Sequence, residues 1–477
     1  MEHDATPGRW ITTDVPARLD ALTWSPWHRR VVIALGITWI LDGLEASLIA
    51  NLAPSLRDPR VLGLSGTQVG LANSAYLVGE VIGALVFGHL TDRLGRKKLF
   101  LVTLALYLVA TGLSGLAPGF AVFLVFRLLA GAGIGGEYAA INSAIDELIP
   151  ARVRGHVDLA INGSYWVGVG LGAGLTLVLL NPAVVPLSLG WRLAFGLGSL
   201  LGIGIVFLRH DVPESPRWLL AHGREREAIE TTEAIEAKVH GEGARPAAVA
   251  PVRVRVTGVV GVSALAAALL GPYRRRTVLG ASLMLAQAFF YNAIFFSYGL
   301  ILERFHHVEA SRVGLYIVPF SVGNFLGPLL LGRLFDRWGR RPMIAGTYAL
   351  SGVLLVATGV MFVAGWFDAL TQTLAWSVVF FFASAAASSA YLTVSELFPV
   401  ELRGLAIAVF YAFATLVGAT APALFGAIVD SGRPTNLLAG YALASALMLA
   451  AAVVAWFLGF DAEGRSLEQI REDHEPG

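Results

Sequence analysis

The chain of 477 residues contains no cysteine, which excludes disulfide bonds, cysteine-ligated zinc and iron–sulfur clusters. Charged residues are scarce, at 14%, whereas they make up about a quarter of an average soluble protein. The only lysines, Lys97, Lys98 and Lys238, do not follow a glycine, so the sequence has no Walker A loop for ATP. The formal net charge of +1 gives no global field that would attract nucleic acid.

The common catalytic motifs are also missing. The sequence has no H-E-x-x-H, no G-x-S-x-G and no clustered His and carboxylate set for a metal. The run "GAGIGG" at 131–136 matches a dinucleotide-loop pattern, but it lies inside an apolar stretch with no strand before it. His306 and His307 fall in a predicted loop, where solvation explains them. We therefore predict a protein that is not an enzyme and that uses no cofactor or metal.

Long apolar runs are abundant. Hydrophobic residues make up 56% of the chain, and the mean hydropathy is +0.66. A membrane crossing needs about 20 apolar residues, and backbone polar groups in lipid must be paired within each segment, so each crossing is a helix. This predicts an all-α membrane protein with twelve transmembrane helices, near 31–52, 69–90, 98–117, 120–148, 157–180, 190–208, 277–302, 312–334, 343–364, 371–397, 404–429 and 438–460.

One long polar interval divides the twelve predicted helices into six and six. Its run "VSALAAALLG" is too short to cross the membrane, and we expect a short helix at the interface. The domain prediction is an N-terminal tail over 1–30, a six-helix bundle over 31–208, a central loop over 209–276, a second six-helix bundle over 277–460 and a C-terminal tail over 461–477.

Basic residues predict the orientation of the chain. The first 30 residues carry arginines and prolines but no short apolar run with a cleavage site, which indicates a cytoplasmic tail. Lys and Arg concentrate on the side of the two tails, so we predict that both termini are cytoplasmic in the plasma (inner) membrane. The opposite side holds only Arg57, Arg60, Arg304, Arg312 and Arg433.

The two halves share repeated motifs. The run "GHLTDRLGRKK" at 88–98 recurs as "GRLFDRWGRRP" at 332–342, and "ELIPARVRG" at 147–155 recurs as "ELFPVELRG" at 396–404. The two offsets, 244 and 249 residues, are nearly equal, which indicates duplication of a six-helix unit. Paired repeats are typical of secondary transporters, whose substrate site lies between the halves.

These motifs resemble the major facilitator superfamily, and the resemblance covers essentially the whole chain. The loop at 88–98 is that superfamily's signature, while "PESPRWLL" at 213–220 and "SELFPVELRG" at 395–404 are similar to the sugar-porter and metabolite–proton symporter branches. The resemblance implies two pseudo-symmetric six-helix bundles. It also implies a cytoplasmic gate of breakable Arg–carboxylate pairs, beyond mere positive-inside anchoring, formed by Asp92, Arg96, Glu147, Arg154, Glu214, Arg217, Asp336, Arg340, Glu396 and Arg403.

Ionisable residues inside the predicted spans are the next signal. Each such charge costs about 2.5–3.5 kcal/mol on insertion scales, so it is expected to face the protein interior and to have a function. Resemblance to sugar porters implies that Glu45 and Arg127 form a proton-coupling pair, which protonation of Glu45 weakens. Asp42 and Glu137 are further coupling candidates or structural partners of Arg127, and a structural role is favoured for Glu80.

Candidate substrate contacts lie in both halves. Gln287 and Asn292 have the spacing with which sugar porters present amides to substrate hydroxyls, and an amide both donates and accepts. Trp166 and Tyr391 replace a Gln and a Trp of those porters, which disfavours a hexose and favours an organic acid or a polyol. Helix packing is the alternative explanation for Trp166 and Tyr391.

We therefore predict a transporter that moves a small polar metabolite by alternating access. Transport is expected to be proton symport driven by the proton gradient. The protein is expected to be a monomer in contact with lipid. Proton-coupled efflux of drugs or metabolites is the main alternative. The fifth predicted span has no proline before Pro182, whereas antiporter branches carry a Gly-Pro pair there, so symport is favoured. A non-transporting nutrient sensor is the remaining alternative, and the tail over 461–477 is short for signalling.

Overall fold

The computed structural model describes residues 10–94, 96–209, 213–221, 223–241, 249–255, 262–397 and 400–459. In these ranges, ten helices are long and apolar enough to cross a membrane. Two shorter apolar helices, Leu99–Ser114 and Ser164–Leu179, fall on the remaining two predicted spans. All twelve predicted crossings are therefore helical.

The N-terminal half begins with a short strand and a short helix before the first membrane helix. Pro26 is the first residue of that membrane helix, a position where the N–H that proline lacks would have no partner within the helix. The elements of this half are β1 (Trp10–Thr13), α1 (Val15–Ala21), α2 (Pro26–Arg57), α3 (Gly66–Leu94), α4 (Arg96–Ser114), α5 (Phe120–Leu148), α6 (Ala151–Leu179) and α7 (Leu187–Arg209).

The polar central interval contributes α8 (Pro216–Ala221), α9 (Glu225–His240), β2 (Val252–Arg255) and α10 (Val262–Leu270). The short helix α10 falls on the apolar run for which a short helix is predicted.

In the C-terminal half, two predicted spans are each broken into two helices. The break after Gly418 is followed by Pro422, which has no N–H to continue the ladder of the preceding helix. The elements of this half are α11 (Arg274–Phe295), α12 (Tyr298–His306), a 3₁₀ turn (Ala310–Arg312), α13 (Val313–Arg337), α14 (Arg340–Val363), α15 (Ala369–Leu397), α16 (Val400–Gly418), α17 (Thr420–Asp430) and α18 (Pro434–Leu458).

Glycines allow the helices of the N-terminal half to pack with their backbones in contact. A Cβ on Gly79 of α3 would lie 2.0 Å from the carbonyl oxygen of Leu128, and one on Gly168 of α6 would lie 1.8 Å from that of Ile40. No side chain fits at these distances, so α3 packs directly on α5, and α6 on α2. This close packing fixes the positions of the ionisable residues that α2, α3 and α5 carry.

The N-terminal segment is folded onto the central interval, which sequence analysis did not predict. β1 pairs antiparallel with β2, with Trp10 opposite Arg255. Arg18 of α1 donates to both carboxylate oxygens of Glu236 of α9, at 2.9 and 2.5 Å. The hydrogen bonds to Glu236 raise the pKa of Arg18 above its usual value. Residues 10–21 of the predicted N-terminal tail therefore form a subdomain with α8, α9 and β2.

Candidate functional site

A buried ion pair joins α2 to α5. Arg127 Nη1 lies 2.5 Å from Glu45 Oε1, and both side chains are almost fully buried, with exposed fractions of 0% and 1%. Thr111 of α4 donates its hydroxyl to the same carboxylate, at 2.9 Å from each oxygen. Three helices thus meet at Glu45, and the structure places Glu45 and Arg127 in contact, as the resemblance implies.

Tyr76 of α3 extends this pair toward a second carboxylate. The guanidinium of Arg127 lies over the Tyr76 ring, 4.3 Å from its centroid, in cation–π geometry. The Tyr76 hydroxyl donates to Asp42 Oδ1 at 3.1 Å. Asp42 therefore belongs to the same polar cluster as Glu45 and Arg127, although the contact runs through a tyrosine that sequence analysis missed.

The buried charges of the N-terminal membrane helices are unequal in number. Among the described side chains of α2 to α7, four carboxylates are buried, those of Asp42, Glu45, Glu80 and Glu137, but only one guanidinium, that of Arg127. Glu137 of α5 is fully buried and interacts electrostatically with Tyr107 of α4. Acidic groups therefore outnumber basic groups in this region.

Glu80 connects the two halves of the molecule. Its Oε1 accepts a hydrogen bond from the hydroxyl of Tyr411 of α16. The Tyr411 ring lies 6.5 Å from the ring of Tyr391 of α15, and Gln287 of α11 is a hydrogen-bonding neighbour of the Tyr391 hydroxyl. Two of the predicted substrate contacts, Gln287 and Tyr391, are therefore brought together, and Tyr391 lies close enough to Glu80 to interact with it electrostatically.

The other two predicted substrate contacts lie at helix interfaces. The Asn292 amide nitrogen faces Gly418, and a Cβ on that glycine would lie 2.7 Å from it. Trp166 of α6 makes edge-to-face ring contacts with Phe295 and Phe320 of the other half, with centroids 6.3 and 6.4 Å apart. Trp166 thus packs between the halves, and its contact with substrate stays a prediction.

Sequence analysis also missed a polar pair in the C-terminal half. Tyr291 of α11 donates its hydroxyl to Asn324 Oδ1 of α13 at 2.5 Å. Asn324 is fully buried, and its amide nitrogen donates to the Phe320 carbonyl. A buried amide within an apolar span was the available signal, but hydroxyl and amide groups are common in membrane helices and do not stand out as charges do.

Contacts between the halves gather at the end where α3 begins and α17 ends. Asp430 accepts hydrogen bonds from the N–H groups of Gly66 and Thr67 at 2.8 and 2.7 Å, and from the Thr67 hydroxyl at 2.8 Å. Arg57 of α2 pairs with Glu303 of α12 at 2.5 Å. We name these five residues the Asp430 cluster, and this end of the bundle the Asp430 end.

The predicted gate lies at the opposite end. Arg217 of α8 pairs with Asp20 at 2.8 Å, an acid that sequence analysis did not include. Glu214 Oε1 accepts from the N–H of Ser215 at 3.3 Å, and Arg340 opens α14. The side chains of the other predicted gate residues lie outside the described part of the structure, namely Asp92, Arg96, Glu147, Arg154, Asp336, Glu396 and Arg403.

Comparison with protein families decides the class. The family model described as "Sugar (and other) transporter" matches residues 42–474, which is most of the chain. The chain belongs to this family. It is therefore a multi-pass membrane transporter, and the prediction that it is not an enzyme is confirmed.

Family members with known names include transporters of different small molecules. The chain is 27% identical over 459 residues to the niacin transporter NiaP of Acinetobacter baylyi, covering 96% of this chain and 99% of that one. It is 26% identical over 461 residues to the major myo-inositol transporter IolT of Bacillus subtilis, covering 93% and 94%. A putative metabolite transport protein of Bacillus subtilis, YyaJ, is 31% identical over 351 residues, covering 72% and 75%.

Solved structures confirm the fold. The crystal structure of a D-xylose–proton symporter matches with a TM-score of 0.71 at 18% identity, covering 92% of this chain and 100% of that chain. An inward-open conformation of the Escherichia coli xylose transporter XylE also matches with a TM-score of 0.71, at 20% identity, covering 93% and 99%. The two-bundle fold of the major facilitator superfamily is thereby established for this chain.

Proposed function

We propose that the protein is a proton symporter that carries a small polar metabolite, an organic acid, polyol or sugar-like molecule, across the plasma (inner) membrane by alternating access. Relatives named for niacin, myo-inositol and D-xylose support this substrate class. In this proposal both termini lie in the cytoplasm, the Asp430 end faces outward, and the protein acts as a monomer. The proton gradient supplies the energy, so no cofactor takes part.

The observation that carries the proposal is the buried Glu45–Arg127 pair. The pair combines a charge-assisted hydrogen bond with the attraction between opposite charges, and protonation of the carboxylate removes that attraction. A proton on Glu45 therefore loosens α2 from α5, while Thr111 still donates to one carboxyl oxygen. Proton binding to Glu45 thus allows α2 to move relative to α5.

The excess of buried acids supports proton coupling further. Four ionised carboxylates beside one guanidinium would leave uncompensated charges away from water, which is costly, and buried groups neutralise instead. Bound protons are the simplest way to balance this charge. Asp42 joins the pair through Tyr76, so it is the second coupling candidate, with Glu137 as the third.

Alternating access requires contacts that form in one state and break in the other. The Asp430 cluster supplies such contacts, because Asp430 and Glu303 of one half bind Thr67 and Arg57 of the other. Charged and hydrogen-bonded groups at a helix end can exchange these partners for water when the halves separate. When the Asp430 end opens, the predicted Arg–carboxylate gate would close the opposite end.

Substrate would bind between the halves, where Tyr391, Gln287 and Asn292 offer a hydroxyl and two amides. Such groups donate and accept hydrogen bonds, which suits hydroxyl or carboxylate groups of a polar metabolite. Trp166 would supply an apolar face across from them. Tyr391 is 42% exposed, so its ring is available to a ligand in this conformation.

The test is uptake into proteoliposomes of purified protein, with nicotinate, myo-inositol and D-xylose as probes. We expect an inward proton gradient to accumulate at least one probe above its equilibrium level, and a protonophore to abolish this. Outward movement of the probe under the same gradient would instead indicate efflux by antiport. Accumulation that needs Na⁺ and ignores the protonophore would disprove proton symport.

A further inference from the structure

Glu80 lies deep in the contact between the two halves. It follows Gly66 by 14 residues in α3, which corresponds to a rise of about 21 Å from the Asp430 end. Its side chain is buried, and its carboxylate accepts the Tyr411 hydroxyl from the other half. The hydrogen bond therefore joins the halves well inside the membrane, far from the Asp430 cluster.

From the Asp430 end down to Glu80, α3 is in contact first with α17 and then with α16. A Cβ on Gly66 would lie 2.9 Å from the Gly426 carbonyl oxygen, and one on Gly70 would lie 2.2 Å from that of Pro422. Since α3 packs on α17 at backbone distance here, the halves cannot separate at this end without moving α3 relative to α17 and the adjoining α16. We expect such a movement to separate Glu80 from Tyr411 as well.

Several titratable groups face Glu80 from the helices packed around it. Asp42 of α2, Tyr165 of α6 and Tyr391 of α15 interact electrostatically with its carboxyl group, in addition to Tyr76 on its own helix. On α5, the Glu80 carbonyl lies against Gly135, two residues before Glu137, and the Arg127 guanidinium is bound to Glu45. Acidic and phenolic groups thus dominate the surroundings of Glu80.

We propose that Glu80 is a further proton-coupling residue, whose protonation state sets the strength of the contact between α3 and α16. This inference rests on the proton symport proposed above. An ionised carboxylate accepts a stronger hydrogen bond from the Tyr411 hydroxyl than a carboxylic acid does. A proton that binds to the carboxylate therefore weakens the bond, while Tyr411 keeps its own proton.

The direction of this effect suits a symporter. When the Asp430 end is open, Glu80 has lost Tyr411 and lies beside Asp42, so a proton from that side removes a like-charge repulsion. When the halves close at that end, the Tyr411 hydroxyl binds again and favours release of the proton. Low pH should therefore favour opening of the Asp430 end, and high pH should favour the conformation described here.

Glu80 also lies next to the candidate substrate contacts. Tyr411 has its ring beside that of Tyr391, and Tyr391 interacts with Gln287. Only the ring of Tyr411 would then separate a substrate bound to Tyr391 and Gln287 from the hydrogen bond between Tyr411 and Glu80. Proton binding and substrate binding would thus act on the same interface between helices.

The absence of native cysteine makes a conformational test direct. Spin labels at Val184→Cys and Thr435→Cys, one on an exposed position of each half at the Asp430 end, report whether that end is open. For the otherwise unchanged protein in nanodiscs, without substrate, we expect the open population to rise about fivefold between about pH 8 and about pH 5, which corresponds to a change of about 1 kcal/mol.

Three variants in the same labelled background separate the roles. Glu80→Gln keeps the shape and an acceptor but cannot titrate, and Tyr411→Phe keeps the ring but removes the donor, so both should flatten the pH dependence. Tyr348→Phe is the matched control, because its hydroxyl donates to the Leu283 carbonyl within one half, at 2.9 Å. We expect Tyr348→Phe to keep the full pH dependence.

The outcomes distinguish this inference from the proposed function. An unchanged pH dependence in Glu80→Gln, or no pH dependence in the parent protein, overturns the role of Glu80 while proton-driven uptake by the parent protein still supports symport. Absence of proton-driven uptake for the parent protein overturns the proposed function itself. Melting temperatures of each variant check folding, and a Glu80→Gln protein that melts like the parent and has lost the pH dependence supports the inference.

Discussion

Asp430 caps the N-terminus of a helix in the opposite half of the molecule, since its carboxylate accepts hydrogen bonds from the backbone N–H and the hydroxyl of Thr67. The first N–H groups of a helix have no partner within the helix, and the helix dipole favours a negative charge there. Asp430, the last residue of α17, thus accepts hydrogen bonds from N–H groups at the start of α3 that would otherwise need water as a partner. This contact can stabilise one conformation without any covalent link.

Asp430→Asn should favour opening of the Asp430 end. The amide oxygen still accepts a hydrogen bond, but the charge and one acceptor are lost, at a cost of about 1–2 kcal/mol. We expect the open population to rise about five- to thirtyfold, measured with the spin labels at positions 184 and 435. Asp58→Asn is the control, because Asp58 pairs with Arg60 within one half, and an equal effect in this variant would contradict the assignment.

Gly70→Ala should slow transport by preventing closure at the Asp430 end. A Cβ at this position would lie 2.2 Å from the Pro422 carbonyl oxygen, so α3 and α17 must move apart. We expect initial uptake to fall by at least about tenfold, with the labels reporting a more open Asp430 end. Gly174→Ala, where a Cβ has no neighbour within 4 Å, should transport normally, and normal transport by Gly70→Ala would show that this contact is dispensable.

Gln287→Ala should weaken substrate binding more than it slows translocation. The loss of a neutral hydrogen bond costs about 0.5–1.5 kcal/mol, so KM should rise about two- to tenfold while the maximal rate stays within about twofold. Uptake kinetics at a fixed proton gradient measure both values. Gln68→Ala, at the Asp430 end, is the control amide, and an unchanged KM for Gln287→Ala would remove this residue from the substrate site.

Glu236→Gln should release the N-terminal segment from the central interval. Arg18 would lose the carboxylate that binds two of its nitrogens, and the pairing of β1 with β2 would lose support. We expect tryptic cleavage after Arg18 to become about tenfold faster, which corresponds to a local loss of about 1.4 kcal/mol. Asp14→Asn removes only the longer 3.8 Å contact to Arg18 and should change cleavage little. Equal protection of the Glu236→Gln protein would contradict this prediction.

The fold was predictable because each membrane helix carries its own signal. An apolar run of about 20 residues must be helical in lipid wherever it lies in the chain. The Glu45–Arg127 contact was implied by the resemblance to sugar porters, whereas the cost of a charge in the membrane predicts only that each of these groups faces the protein interior. The Thr111 hydroxyl that binds the same carboxylate had no such signal, because a threonine in an apolar span does not need a charged partner.

Contacts between distant elements could not be predicted from the sequence. Asp430 lies at the end of a span, where an acid is ordinary, and nothing in the chain indicates that it caps α3 more than 360 residues earlier. The pairing of β1 with β2 involves only four residues on each strand, too few for a clear pattern. The hydrogen bond from Tyr411 to Glu80 likewise depends on how the halves face each other.

The central claim is that Glu45 couples proton movement to transport through Arg127. Glu45→Gln removes the titrating group but keeps an oxygen that can accept from Arg127 and Thr111. In proteoliposomes loaded with a transported probe, exchange of labelled for unlabelled probe reports translocation, whereas net accumulation under a proton gradient reports coupling. We predict that Glu45→Gln retains exchange and loses uphill accumulation. Accumulation by this variant at the level of the parent protein would contradict the account.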